Sequence, residues 1–135
     1  MSVPKSQRSP SSMQYIETGK AIYKECMKFA ASLPNRYAVY IGKSIYEAAR
    51  GGYMNCRFAN STNPQNRHEA QIRRDYLNRA NCQYDYLLGE LDNARSIKSS
   101  DSKQVVLIVD LVVREQKLIS GVKSADAKRY SSLPE

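Results

Sequence analysis

Three long stretches of the chain repeat apolar residues at steps of three and four, the pattern of helices that bury one face. Between Met13 and Leu33 the seam is Ile16, Gly19, Tyr23, Cys26, Ala30 and Leu33, widened by Ile22 and Phe29. Pro34 closes this helix, because proline clashes with a continuing helix and restricts the residue before it. Ser11 or Ser12 is placed to cap its start. A second helix is expected from Arg36 to Asn60, with Ile41, Ile45, Ala48, Ala49, Gly52, Cys56 and Ala59 on one side. Gly42, Gly51 and Gly52 each weaken it by roughly 1 kcal/mol relative to alanine, which marks them as points of close helix approach. STNPQN at 61–66 reads as a turn. A third helix follows from Asn66 to Ile97, its core stripe being Ile72, Tyr76, Ala80, Tyr84, Leu87, Leu91 and Ala94.

The last element is ambiguous in isolation. VVLIVDLVV at 105–113 suits a buried strand as well as a helix. Asp110, Arg114 and Lys117 fall on one side of a helical wheel, however, and a lone strand would have no partner. A helix after the loop KSSDS at 98–102 therefore completes an all-α chain, with Asp101 or Ser102 as its cap. Four helices on short loops define an antiparallel up-down-up-down four-helix bundle. The expected organisation is a flexible basic arm over 1–12, the bundle over 13–124 and a C-terminal tail over 125–135. The fourth helix is apolar around more of its circumference than one bundle core needs, which points to self-association through Leu107, Leu111 and Leu118.

Charge adds a direction to this picture. The net charge is +8 and the pI about 9.5, which favours a polyanionic partner. The excess is uneven: residues 1–12 carry +2 and 34–60 carry +3, whereas 61–97 balance five cations against five acids. Within the second helix Arg36, Lys43, Arg50 and Arg57 stand at sevenfold spacing. Seven residues of α-helix advance about 700°, so these four drift slowly along one face, opposite the small-residue packing side. Guanidinium and ammonium groups pair with phosphate oxygens and displace counterions. Lys5 and Arg8 on the arm, and Lys123, Lys128 and Arg129 near the C-terminus, could extend that surface. Arg73 and Arg74 lie near neutralising acids and read as structural. Tyr46 and Tyr53 flank the basic row and suit either base stacking or, in preference, an interface between protomers.

Little chemistry is on offer beyond binding. Cys26, Cys56 and Cys82 are odd in number and lack CxxC spacing, so they read as buried free thiols of a reducing cytoplasm. His68 is the single histidine and reads as a surface residue near a helix start. There is no Gly-rich phosphate loop, nucleophile elbow or HExxH. Neither a catalytic residue, a metal nor a cofactor is implied, and no apolar run is long enough for a membrane span.

The opening MSVPKSQR, the break SLPNRY, the stretch RRDYLNRA and the ending VKSADAKRY resemble a branch of small bacterial and phage four-helix-bundle proteins. That branch holds the accessory variability determinants of diversity-generating retroelements and the proteins encoded in intervening sequences of bacterial 23S rRNA genes. The second group carries an arginine-rich motif in helix two followed by Asn and Glu-Gly. This chain reads AARGGYMNCRFAN there, nearer the retroelement branch. It has Gly121 and Val122 where a tryptophan often stands. The resemblance implies a basic homopentamer without catalytic activity. Its partners would be the element's reverse transcriptase and template RNA, with cDNA as a further candidate ligand, and its role support of mutagenic cDNA synthesis. The alternative is a four-helix protein–protein adaptor with no nucleic-acid role. An all-helical enzyme has nothing to stand on beyond scattered carboxylates such as Glu25 and Glu47.

Overall fold

A computed structural model describes residues 10–97 and 102–135, and every regular element among them is helical. Helix α1 is Pro10–Ser32. Helix α2 is one rod in three parts: a single α turn, Asn35–Tyr37, a π-helical segment, Ala38–Gly42, and a regular α-helix, Lys43–Ser61. Helix α3 is Arg67–Ile97 and helix α4 is Ser102–Arg129. The ambiguous VVLIVDLVV run is helical throughout.

The helices surround a single core in chain order. α1 packs on α2, α2 on α3, α3 on α4 and α4 back on α1, so α2 and α4 face each other across the core. Side-chain contacts fix the ends. The Tyr15 hydroxyl near the start of α1 reaches Asn60 near the end of α2, at 3.5 Å. Arg73 early in α3 bonds to Asp126 late in α4.

Local chemistry explains the boundaries. Pro34 sits in extended backbone (φ −55°, ψ 146°), and its carbonyl accepts from the N–H groups of Tyr37 and Ala38, both at 2.9 Å. At the start of α3 the Asn66 side chain accepts from Glu69 N–H at 2.9 Å, while the Glu69 carboxylate accepts from Gln65 N–H at 2.7 Å. This is a variant of the capping box.

The core is close to the expected one, with corrections. All seven residues assigned to the packing side of α2 are buried or packed against the core. On α1 the buried line runs through Tyr15, Ile22, Cys26 and Phe29, so the seam is turned slightly and Ile16 and Tyr23 lie on its shoulder. The helix also starts before its expected serine caps, and residues 1–9 of the expected arm lie outside the described residues. At the other end α4 runs past 124 to Arg129, so the first part of the expected tail is helix. Cys26 and Cys56 are buried, but Cys82 is exposed. It follows Ala80 by two residues, about 200° round the helix, which carries it off the buried stripe.

Two glycines set the spacing of the core. A Cβ on Gly52 would lie 2.6 Å from Cε1 and Cζ of Tyr84, and one on Gly19 would lie 2.8 Å from Glu115 Oε2. Tyr84 cannot retreat, because its ring is fully buried and its hydroxyl is bonded to Glu115. Gly52→Ala is therefore expected to lose about 1–3 kcal/mol by overpacking. Gly89→Ala meets nothing within 4 Å and should gain up to about 1 kcal/mol from helix propensity. Urea unfolding of the two variants should move in opposite directions.

Candidate nucleic-acid interface

The regular part of α2 turns its small residues inward, and this leaves Lys43, Arg50 and Arg57 exposed on its outer face. Lys43 approaches Glu47 at 4.0 Å, a surface pair of two exposed side chains. Among the described residues no carboxylate pairs with Arg36, Arg50 or Arg57. Arg57 lies over the ring of Tyr53, 5.8 Å from its centroid, and Arg36 over the ring of Tyr37, at 4.8 Å. A guanidinium stacked on a ring keeps its in-plane N–H donors for an outside acceptor such as phosphate.

The π-helical segment alters the expected row. A π turn holds more residues than an α turn, so Ala38–Gly42 underwinds the rod by roughly a quarter turn relative to a continuous α-helix. Arg36 is exposed but sits to the side of the line through Lys43, Arg50 and Arg57. The row is thus three cations in line, with a fourth offset.

Packing of α1 on α2 adds a cation with no sequence cue. An open groove between the two helices is lined by Ile16, Glu17, Lys20, Tyr53, Arg57 and Asn60. Lys20 thereby joins Arg57 on one surface, together with the acid Glu17. Tyr46 and Tyr53 find aromatic partners within the chain. The Tyr23 ring lies 5.6 Å from that of Tyr46 and 5.9 Å from that of Tyr53, and the Tyr23 and Tyr46 hydroxyls share a hydrogen bond of 3.0 Å. These rings form a half-buried ladder between α1 and α2.

The remaining candidates are scattered. Lys5 and Arg8 lie outside the described residues. Lys128 and Arg129 are exposed at the end of α4 and Lys123 is half-buried there. The Asp126–Arg73 pair ties that end of α4 to the end of α2, because Arg73 also donates to the Ala59 carbonyl at 2.8 Å. His68 is exposed in the first turn of α3. On α4, Leu107 is 48% exposed between Val106 at 46% and Val113 at 41%, whereas Leu111 and Leu118 are partly buried against the core. The apolar row of α4 and the basic row of α2 thus lie on opposite sides of the molecule.

Two buried polar centres escape a sequence reading. Arg73 is 8% exposed and forms a two-pronged pair with Asp126, Nε to Oδ2 at 2.6 Å and Nη2 to Oδ1 at 3.3 Å. Glu115 is fully buried in the middle of α4. Its Oε2 accepts from the Tyr84 hydroxyl at 3.2 Å and the Cys56 thiol at 3.7 Å, while Oε1 has no partner. Burial pushes the Glu115 carboxyl up to about 8 and the Cys26 thiol up to about 12, and it also raises the Cys56 thiol and the Tyr15 phenol. The signal for Glu115 was its phase. It continues the line Ile108, Val112, Ile119, Val122 at steps of three and four.

No protein-family model matches the chain, and neither a curated protein nor a solved structure is similar to it. What fold and surface define is a four-helix protein with a basic face on α2, an apolar row on α4, and, among the described residues, no helix long and apolar enough to cross a membrane.

Proposed function

We propose that this chain is a non-catalytic, cytoplasmic accessory protein of a diversity-generating retroelement, holding template RNA for the element's reverse transcriptase. The observation that carries this reading is the outer face of α2. Lys43, Arg50 and Arg57 are exposed in line, and the two arginines have no carboxylate partner among the described residues. Phosphate contacts from such a row supply affinity and register rather than sequence specificity. The family resemblance adds the partner, the antiparallel up-down-up-down bundle and the homopentamer. Val106, Leu107 and Val113 on α4 supply apolar surface for the protein contacts such an assembly needs, away from the basic row.

Reversing charge in the Arg50→Glu/Arg57→Glu double variant is expected to abolish RNA binding in a gel-shift assay at moderate salt. Both side chains are exposed, so the circular dichroism melt should stay at its wild-type position. Wild-type affinity in the double variant would remove this face from the reading. Light scattering should give a native mass near five times 15.3 kDa.

The apolar row on α4 favours a second reading, a protein–protein adaptor whose charge serves solubility. The adaptor would form its oligomer and leave RNA unbound at physiological salt.

A further inference from the structure

The segment where α2 departs from α-helical geometry carries the most exposed large apolar side chains among the described residues. Tyr40 is 77% exposed and Val39 is 65% exposed, side by side in the π-helical stretch Ala38–Gly42. In a buried helix such residues would face the core. Here Gly42 and Ile45 take the inward positions instead. π-helical turns occur often at functional sites, because the extra residue re-aims the side chains around it.

The neighbours of this pair are cationic. Arg36 precedes Tyr40 by four residues and Lys43 follows Val39 by four, about one turn in either case, and both cations are exposed. No Asp or Glu occurs in the sequence between Glu25 and Glu47. The Arg36 guanidinium already lies over the Tyr37 ring, 4.8 Å from its centroid, and is bonded to no protein acceptor among the described residues. One aromatic ring thus stands in solvent with Arg36 about one turn before it on the same side of the rod, while Lys43, three residues on, is turned roughly a quarter turn away. This combination suits a ligand with a planar apolar part joined at short intervals to anions.

We infer that Tyr40, with Arg36 one turn before it, is a stacking platform for an unpaired base of a single-stranded RNA. The inference rests on the RNA-binding reading above and deepens it: the strand presented by this protein is single at this end of α2, rather than paired. Bases stack on exposed aromatic rings with little regard to sequence, while cations beside the ring follow the phosphates. A duplex hides its base faces and would meet only the cations. Charge complementarity selects RNA over the same face of a second copy of the chain, which would bring like charge to a surface whose one nearby acid, Glu47, is paired with Lys43.

The test is fluorescence anisotropy with labelled oligoadenylate and with an RNA duplex of equal length, using the full chain and its Tyr40→Ala and Tyr40→Phe variants. Expected is a loss of about tenfold in oligoadenylate affinity for Tyr40→Ala, with duplex affinity changed less than twofold and Tyr40→Phe close to wild type. Wild-type affinity of Tyr40→Ala for oligoadenylate would overturn the platform while leaving RNA binding itself intact. A lower native mass for Tyr40→Ala, with both RNAs weakened equally, would overturn it in favour of a contact between protomers. A wild-type chain that binds neither RNA would overturn the platform together with the reading on which it rests.

Discussion

Arg73→Ala should cost about 3–5 kcal/mol of stability, the loss that follows when one partner of a buried ion pair is removed. Arg73 is 8% exposed and joins three helices. It holds the Asp126 carboxylate of α4 through two nitrogens and donates to the carbonyls of Ala59 at 2.8 Å and Thr62 at 3.4 Å, at the end of α2. Alanine leaves Asp126 charged with little solvent and takes the charged donor from the Ala59 carbonyl, which keeps only the Thr62 N–H at 3.1 Å. Lysine preserves the charge but cannot fork between a carboxylate and two carbonyls, so Arg73→Lys should fall between alanine and wild type. Urea unfolding at neutral pH ranks the three proteins. An alanine variant within about 1 kcal/mol of wild type, the worth of an exposed pair, would show that the pair contributes no more than a surface contact.

Glu115→Gln is the second large effect, and it depends on pH. The Glu115 carboxyl is raised by burial from 4.5 to about 8, tempered by hydrogen bonds from Tyr84 and Cys56. Its folded-state pKa lies above the unfolded one, so the folded protein holds the proton more tightly. The associated stability is fully present below about pH 4.5 and is lost as pH rises towards 8. Over that window the loss is on the order of 4 kcal/mol. Glutamine cannot ionise, yet its carbonyl still accepts from the Tyr84 hydroxyl. The wild-type urea midpoint should therefore fall between pH 5 and about 8, while that of Glu115→Gln stays nearly level and exceeds wild type at the upper end. Parallel pH profiles for the two proteins would contradict a buried, protonated Glu115. Gly19 belongs to the same centre, because only a residue without Cβ leaves room for Oε2.

Much of this architecture is legible in the sequence, for reasons that also explain what is not. Ala48, Ala49, Gly52, Cys56 and Ala59 are small and regularly spaced, so their side of α2 is legible from periodicity. Pro34 and Asn66 mark helix ends through mechanisms written into single residues. The π-helical segment has no such mark. Ala38, Val39, Tyr40 and Ile41 suit an α-helix as well, and the choice between Tyr40 outward and Gly42 inward is made by packing against the end of α1. Arg73 and Glu115 are hidden for a different reason. Charged side chains on amphipathic helices usually face solvent, and the partners of these two lie 53 and 31 residues away in sequence. Cys82 shows the converse, an apolar residue type at an exposed phase. Lys20 comes to share a groove with Arg57 only through the packing of α1 on α2.

The basic face of α2 as a phosphate-binding surface is tested most directly by the affinity of the nucleic-acid-free chain for a single-stranded RNA oligonucleotide as salt is raised. Three phosphate contacts, one each for Lys43, Arg50 and Arg57, give a log–log slope of about −2 for a single strand. Affinity should then fall roughly tenfold or more between about 50 and 200 mM salt, with a shallower slope when one of the three is neutralised. Absence of binding at the lowest salt, or binding indifferent to salt, would contradict the assignment and leave the row on α2 as a solvated helix face.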